Sequence, residues 1–206
     1  LTELCKVDVP EGKSGKWYIE KFTVEENSPG RIGYMLSGRD VPPGTYTRLC
    51  YEGSWDNPMM SDTPSEIRDY FEPINQIERR GGRVLINGLG LGCILKAALS
   101  FPNVERVDVV EISPDIIKLV APSYTDPRVH IYQADAYEIK WAKDDRWSVA
   151  WHDIWPSLCS DNLPDMARLH RKYGRKVAWQ GSWGKEICQY HKRRNDGYQG
   201  ELTWRK

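Results

Sequence analysis

The feature that most constrains this chain is an apolar run that breaks into three closely spaced glycines. Residues 84–92 read Val-Leu-Ile-Asn-Gly-Leu-Gly-Leu-Gly. An apolar strand that ends in a glycine-rich turn and continues as a helix lets the bare backbone of a parallel α/β sheet approach a nucleotide-like ligand. The pattern therefore predicts a strand–loop–helix unit that binds such a ligand. The residues expected to reach the ligand are Asn87, Gly88, Leu89, Gly90 and Gly92.

Two further apolar runs end in carboxylates. Residues 107–113 place Glu111 about 20 residues after the glycines, where a carboxylate can accept both hydroxyls of a ribose. Asp135 ends a third run and is suited to accept an exocyclic amine, while the backbone of Ala136 would bind a ring nitrogen. Ile112 is expected to cover one face of an adenine, with ordinary core packing as the alternative. Three strand ends that converge on one crevice predict a site for an adenosine-containing cofactor.

The spacing of the glycines separates two such cofactors. Dinucleotide-binding loops follow the pattern Gly-x-Gly-x-x-Gly, and here Cys93 occupies the position of the third glycine. Gly88, Gly90 and Gly92 instead form Gly-x-Gly-x-Gly, which favours S-adenosylmethionine (SAM), with S-adenosylhomocysteine as its product, over NAD. The alternative is a structural turn with two solvated acids nearby, because glycines are common wherever a chain turns tightly.

The periodicity of the chain predicts two sheets. From residue 83 onward, strands alternate with helices, which is typical of an α/β fold with a mostly parallel, Rossmann-like sheet and helices on both faces. The strands are expected near 84–87, 106–110, 128–132, 147–151 and 175–180. Residues 1–60 are rich in Gly, Pro and Tyr, and predict a small antiparallel β region that precedes a SAM-binding domain at 61–206. The antiparallel strands are expected at Trp17–Val24, Arg31–Leu36 and Thr45–Tyr51.

The sequence also predicts the helices that precede and follow the parallel sheet. Thr63 and Glu66 have the spacing of a capping box and predict the start of a helix that ends at Gly81. After Gln180 a helix is expected near residues 183–192. Only residues 200–205 remain for one short final strand, so the sheet is expected to be shortened at its C-terminal edge.

Composition narrows the function only slightly. The 206 residues carry 29 basic and 29 acidic side chains, so the net charge favours no class of partner. Residues 167–206 nevertheless hold 11 Lys or Arg and 3 Asp or Glu, which fits a solvated helix face or a surface for nucleic acid. The scattered cysteines and histidines predict neither disulfides nor a metal site. No apolar run reaches the roughly 18 residues that span a bilayer, so a cytoplasmic protein without a membrane partner is expected.

Residues 84–162 resemble the class I SAM-dependent methyltransferases, and more narrowly their spermidine-synthase-like branch. The resemblance lies in the valine-rich strand, the Val-Glu-Ile sequence that ends at Ile112, the Ser-Pro-Asp helix start at Ser113 and the aspartate Asp153 after the fourth strand. The small N-terminal β region resembles the N-terminal sheet of the same branch. The resemblance implies a Rossmann-like fold and SAM as the cofactor.

Two departures from the aminopropyltransferase pattern bear on the reaction. Those enzymes carry an aspartate in the glycine loop that holds the cofactor's amine, and this chain has Leu91 there. They also carry a second aspartate after the fourth strand, which Pro156 replaces here. A polyamine would lose part of its charge partner, so the sequence disfavours aminopropyl transfer from decarboxylated SAM.

The segment Trp151–Pro156 follows the fourth strand, beside the position of the cofactor's sulfonium in this fold. Asp153 could accept a proton or a hydrogen bond from an attacking group, and Trp155 could wall the acceptor and attract a cation through its ring face. We therefore predict Asp153 and Trp155 as catalytic residues, with Asp153 in contact with the cofactor as well. His152 faces the other way along the strand and is expected to be structural. Further lining of the acceptor pocket is expected from Gln180, Ser182 and Trp183.

The sequence thus predicts a SAM-dependent methyltransferase whose acceptor, small or macromolecular, is not identified. Alternatives are an aminopropyltransferase that uses decarboxylated SAM and a SAM-binding protein without catalysis. A nucleic-acid methyltransferase that holds phosphate on the basic residues 185–194 is also open, as is a homodimer.

Overall fold

The computed structural model describes residues 1–26, 41–53 and 59–203, with side chains described as far as residue 194. These residues form an antiparallel sheet of four strands and a parallel sheet of five. The strands are β1 (Gly12–Ser14), β2 (Trp17–Val24), β3 (Gly44–Tyr51), β4 (Met60–Ser61), β5 (Gly82–Asn87), β6 (Val104–Glu111), β7 (Val129–Gln133), β8 (Trp147–His152) and β9 (Val177–Ser182). The helices are α1 (Thr2–Cys5), α2 (Pro64–Ile67), α3 (Phe71–Arg80), α4 (Cys93–Leu99), α5 (Pro114–Val120), α6 (Leu163–Tyr173) and α7 (Lys185–Thr203). Short 3-10 turns lie at Arg68–Tyr70, Ala121–Ser123 and Ser160–Asn162.

The larger sheet has the order β7-β6-β5-β8-β9, and all of its neighbouring strands are parallel. Its register aligns Asn87 with Val110 on one side and with His152 on the other, while Glu111 pairs with Gln133. The carboxyl ends of these strands therefore meet at one edge of the sheet. All five predicted strands are confirmed, with bounds that differ by one or two residues.

Alternate residues of the central strands pack on opposite faces of the sheet, as a strand's two-residue period requires. Val84 and Ile86 of β5 join one hydrophobic cluster, to which α3 and α4 contribute, while Leu85 joins a second cluster with Met166 and Leu169 of α6. Helices therefore cover both faces, which explains why these strands are almost continuously apolar. The predicted fold class is confirmed.

The smaller sheet has the order β1-β2-β3-β4 and pairs Trp17 with Tyr51 across β2 and β3. The predicted strands at 17–24 and 45–51 are confirmed, whereas the one predicted at Arg31–Leu36 lies outside the described residues. Ile19 and Leu49 belong to the same hydrophobic cluster as the first face of the parallel sheet. The division of the chain after residue 60, which β4 spans, stays a prediction.

The capping box predicted before the first long helix is wrong in detail. Thr63 is the N-cap and Pro64 begins the helix, but the Thr63 side chain makes no capping bond. The Glu66 carboxylate instead accepts from the backbone N–H of Ser61 at 2.6 Å and from its hydroxyl at 2.8 Å. Ser61 is the last residue of β4 and precedes Glu66 by five positions. A 3-10 turn interrupts the helix before α3, which ends at Gly81 as predicted.

The end of the chain differs from the sequence prediction. The final strand expected at residues 200–205 is wrong as far as Thr203, because α7 continues through these positions, and residues 204 and 205 lie outside the described part. In the described residues the sheet ends at β9, so its edge is shortened as expected. No helix of the described residues is long and apolar enough to cross a membrane.

Candidate functional site

A cavity of about 800 Å³ opens at the carboxyl edge of the parallel sheet. The ends of β5, β6, β7 and β8 line it, because parallel strands direct their carboxyl ends to one side. Nine of the eleven residues predicted for the site lie in its wall: Gly88, Leu89, Gly90, Glu111, Ile112, Asp135, Ala136, Asp153 and Trp155.

The other two predicted residues, Asn87 and Gly92, lie outside this wall. Asn87 is fully buried and its Nδ2 lies 2.7 Å from Nδ1 of His152 on the neighbouring strand. Gly92 precedes α4 with a φ of +81°, and a side chain there would collide with the hydroxyl of Tyr124. Tyr124 in turn donates to the carbonyls of Leu91 and Gly92, at 3.0 Å each. Both residues therefore contact neighbouring parts of the protein and do not line the cavity.

The glycine loop is closely packed on two sides. Gly88 has a φ of +99°, and a β-carbon there would collide with the carbonyl oxygen of Asp153. A β-carbon at Gly90, where φ is +50°, would collide with the sulfur of Met60. The same sulfur lies 3.1 Å from the backbone nitrogen of Leu91, so the thioether of β4 rests on the loop. Local sequence patterns do not reveal this contact, because Met60 precedes Leu91 by 31 positions.

Glu111 is held at the end of β6 by two backbone groups. Its Oε2 accepts from the N–H of Leu89 at 2.9 Å, and its Oε1 accepts from the N–H of Ser113 at 2.8 Å. Each carboxylate oxygen has about two acceptor positions, so each can accept a second hydrogen bond from a ligand. The carboxylate is thus fixed in orientation and can still accept two hydroxyls.

The residues predicted to surround an adenine also line the cavity. The Ile112 side chain is 66% exposed, so the alternative of core packing does not apply. Asp135 is half-buried and accepts from the N–H of Tyr137 at 2.7 Å through its Oδ1. The carbonyl of Ala136 accepts from the Tyr173 hydroxyl at 2.9 Å, which fixes this turn against α6.

Asp153 is a further carboxylate of the cavity wall, and its pKa is shifted. It follows β8, where its backbone N–H donates to the carbonyl of Asn87 at 2.8 Å. Burial raises the pKa of its carboxyl from 3.8 to about 7, and the neighbouring carboxylates of Asp69 and Glu66 add to this shift. A carboxyl with a pKa close to neutrality can accept and release a proton at physiological pH.

The acceptor side of the cavity, beside Asp153, has aromatic walls. The Tyr70 side chain is 4% exposed, and burial, followed by the charge of Asp153, raises its pKa well above the usual value. Trp183 donates from its Nε1 to Asp69 at 3.2 Å. A hydrogen bond from the Trp151 side chain to Asp153 partly offsets the rise in the pKa of that carboxyl. This side can therefore hold a flat or cationic group.

Sequence reasoning missed Glu66, Asp69 and Tyr70, which reach the cavity from α2 and the following 3-10 turn. They precede the glycine loop, so no strand-end rule points to them. Their spacing of i, i+3 and i+4 places them on one face of a helix, and this was the available signal. The capping-box spacing accounts for Glu66 by the start of a helix alone.

The charged side chains in the described cavity wall are all acidic. In the described residues the wall contains five carboxylates and no Lys, Arg or His. Carboxylates and aromatic ring faces both attract cations. The cavity therefore favours a cationic or neutral group over an anion. The carboxylates are those of Glu66, Asp69, Glu111, Asp135 and Asp153.

Of the three residues expected near the acceptor after β9, only Trp183 lines the cavity. The prediction that Gln180 and Ser182 line the pocket is wrong. The Gln180 side-chain oxygen lies 3.2 Å from Nε2 of His152, and the Ser182 hydroxyl lies 2.9 Å from Nε2 of His170. His152 is fully buried, and burial lowers its pKa to about 3, so it is neutral. Its structural role agrees with the prediction.

Comparison with known proteins gives structural neighbours only, since no family model and no curated protein matches the chain. A SAM-dependent methyltransferase from Mesorhizobium loti aligns over 53% of this chain and 49% of its own length, with 17% identity and a TM-score of 0.42. The CcbJ methyltransferase from Streptomyces caelestis aligns over 53% and 44%, with 17% identity and a TM-score of 0.42. A candidate RNA methyltransferase from Pyrococcus horikoshii aligns over 58% and 57%, with 15% identity and a TM-score of 0.44.

The structural neighbours are class I SAM-dependent methyltransferases at low sequence identity. The chain spans about half the length of the structures it matches. With TM-scores below 0.5, these likenesses carry no argument about cofactor or acceptor. The spermidine-synthase-like branch stays a prediction.

Proposed function

We propose that this protein transfers the methyl group of SAM to an acceptor that enters beside Asp153. The observation that carries the proposal is the convergence, around one cavity, of the glycine loop with Glu111, Asp135 and Asp153. Each of these carboxylates lies at or just after the end of a different parallel strand. Such a crevice at the carboxyl ends of strands is where open α/β sheets bind ligands.

The residues present fit the cofactor. Glu111 has acceptor positions left for two ribose hydroxyls, and the exposed Ile112 side chain can cover an adenine ring. The free oxygen of Asp135 can accept from an amino group. Cys93, Ile94 and Leu95 of α4 also line the cavity, next in the chain to the glycine loop. The volume of about 800 Å³ lies within the range of ligand pockets.

When bound, SAM supplies an electrophilic methyl carbon on a positively charged sulfur. The acceptor would take this methyl group with its own lone pair, and the carbon–sulfur electron pair would stay on the sulfur. Asp153 is placed to take the proton that the acceptor loses, because its pKa lies near neutrality. The walls of Trp155 and Trp183 orient the acceptor and exclude water, which is the main requirement for a direct displacement.

Aminopropyl transfer from decarboxylated SAM is the second candidate, and one observation favours it. The described wall has no cation to pair with the carboxylate of SAM, and decarboxylated SAM has none. Two residues oppose it: Leu91 is fully buried in the hydrophobic core and offers no partner for an amine, and Pro156 replaces a carboxylate. Methyl transfer is therefore the preferred proposal.

Titration calorimetry with SAM, S-adenosylhomocysteine and decarboxylated SAM tests these proposals. Glu111→Ala and Asp135→Ala are the test variants. Glu105→Ala and Asp144→Ala are matched controls, since both remove an exposed carboxylate outside the cavity wall, and Glu105 lies on the same strand as Glu111. We expect micromolar binding of the two carboxylated ligands, lost in both test variants and retained in both controls.

Each other outcome has a definite meaning. Tighter binding of decarboxylated SAM would select aminopropyl transfer. Binding of SAM by a protein that methylates none of a broad set of amine and hydroxyl acceptors would favour a SAM-binding protein without catalysis. No binding of any of the three ligands by the folded protein would disprove the cofactor assignment.

A further inference from the structure

A second concave site lies between α6 and α7, at the edge of the sheet. It has a volume of about 600 Å³ and, like the first, lies beside β9. No carboxylate occurs in its described wall, whereas three side chains in it are permanent cations at neutral pH. We call it the basic groove. Its wall consists of Leu163, Ala167, His170, Arg171, Lys185, Gln189 and Lys192.

No described carboxylate pairs with the cations of the basic groove. Arg171, Lys185 and Lys192 form no ion pair with any described carboxylate. Burial lowers the pKa of His170 to about 4, and Lys185, whose Nζ lies 3.4 Å from its Nδ1, adds to the shift. His170 is therefore neutral and accepts from Lys185. Residues 163–194 carry nine Lys or Arg against two Asp or Glu, so the surrounding surface is positive as well.

The basic groove adjoins the reaction cavity. Lys185 of the groove follows Trp183 of the cavity by two residues. The ring of His170 in the groove lies 5.5 Å from the ring of His152, which directly precedes Asp153. The two sites are therefore neighbours in the fold, and a ligand that occupies both must reach from one to the other.

The two sites have opposite charge preferences. Beside Asp153 the cavity is walled by carboxylates and aromatic rings, so an anionic group would be repelled there. The groove attracts anions through three unpaired cations. A ligand that fills both must therefore carry repeated negative charge on one part and a neutral or cationic, flat, amine-bearing group on another.

Single-stranded nucleic acid has this combination of groups. We propose that the basic groove binds its phosphodiester backbone while one unstacked base enters the cavity beside Asp153. This inference rests on the proposed function and names its acceptor class. Base rings stack on aromatic side chains irrespective of sequence, and a base must leave its stack before an enzyme can modify it. Trp155 and Trp183 offer such ring faces, and Asp153 can accept from an exocyclic amine.

Fluorescence anisotropy with labelled single-stranded RNA and DNA oligonucleotides, titrated at several salt concentrations without cofactor, tests the groove directly. The test variant is the triple substitution Arg171→Gln, Lys185→Gln and Lys192→Gln. The control is Lys16→Gln, Arg79→Gln and Lys118→Gln, which removes the same charge from exposed positions outside both sites. Melting curves establish that both variants fold.

We expect the test variant to bind at least tenfold more weakly and its logarithmic salt slope to fall by about 2, since each neutralised phosphate of a single strand contributes roughly 0.7. The control should retain the wild-type affinity and slope. Equal losses in the two variants, binding insensitive to salt, or equally tight binding of polyglutamate would overturn the inference. A failure of the cofactor titration leaves this binding result unaffected, so the two proposals fail separately.

Discussion

Strand β6 carries two buried carboxylates, three residues apart, that have different surroundings. Asp108, in the middle of the strand, accepts from Arg83 at 2.6 Å, from Arg106 at 2.9 Å and from the Trp147 indole at 2.8 Å. Burial opposes its ionisation, but these hydrogen bonds outweigh burial and lower its pKa. Glu111, at the end of the strand, accepts from two backbone N–H groups and faces the cavity without a cation.

The difference shows how one strand can serve both the fold and a site. Where cations surround a carboxylate, its hydrogen-bonding capacity is used within the protein and it stabilises the native state. Where backbone groups orient a carboxylate and no cation neutralises it, the remaining lone pairs are available to a ligand. The position along the strand, and not the residue type, separates the two cases.

The largest effect is expected from Asp108→Ala. The substitution leaves Arg83 and Arg106 without their shared carboxylate, so the free energy of unfolding should fall by about 3 kcal/mol. Urea denaturation measures this loss. Asp144→Ala, which removes an exposed carboxylate, should change the stability by less than about 0.5 kcal/mol. A loss at Asp108 no greater than at Asp144 would remove the distinction between the two regions.

Glu111→Gln should produce the reverse pattern. The amide keeps the size of the side chain but replaces one charged acceptor by a donor, so SAM affinity should fall roughly 10- to 100-fold while less stability is lost than in Asp108→Ala. Calorimetric titration and urea denaturation of the same samples provide both quantities. If Glu111→Gln mainly unfolds the protein, its carboxylate serves the fold, as Asp108 does.

Asp153→Asn should reveal a dependence of stability on pH that is opposite in sign to that expected of Asp108. Because the folded protein raises this pKa from 3.8 to about 7, the native state is favoured at low pH, and stability is lost as pH rises between these values. The variant should therefore melt at a higher temperature than the wild type at pH 8 and at the same temperature at pH 4. Asp144→Asn serves as the control, and an equal gain at both pH values would argue against the raised pKa.

The smallest effect is expected from Ile112→Ala. The side chain is 66% exposed in the free protein, so its removal should leave the melting temperature unchanged. Loss of the apolar cover over an adenine should weaken SAM binding about fivefold, which corresponds to about 1 kcal/mol of lost burial. Ile187→Ala on α7, at a 40% exposed position, should affect neither quantity. An unchanged cofactor affinity in Ile112→Ala would exclude the residue from the adenine site.

The sequence predicted the parallel sheet well because its strands are buried on both faces and are almost purely apolar. Glu111 and Asp135 could be assigned to one edge because parallel strands share a direction. Asn87 was harder, because at a strand end the sequence does not reveal whether a side chain faces the cavity or a neighbouring strand. It bonds to His152, a residue 65 positions away.

The side of the cavity beside Asp153 was predicted only in part. Asp153 and Trp183 follow strands and could be placed, whereas Glu66 and Tyr70 reach the cavity from a helix that precedes the sheet. How such a helix docks depends on tertiary packing, which local patterns do not encode. The prediction of a final strand was wrong for another reason. Gly200 disfavours a helix, but residues 200–203 contain nothing that disfavours it strongly enough to end α7.

The hydrophobic cluster shared by the two sheets affects the order in which this chain folds. Cys5 and Val9 pack in the same cluster as Val84 and Val149, and the N–H of Val7 donates to Asp62, 55 positions away. Contacts between such distant segments form only after long loops have closed, which slows folding. During synthesis the N-terminal strands leave the ribosome well before their packing partners exist. Native burial of Cys5 should therefore be a late step, completed only once α4, which α1 contacts, has been made.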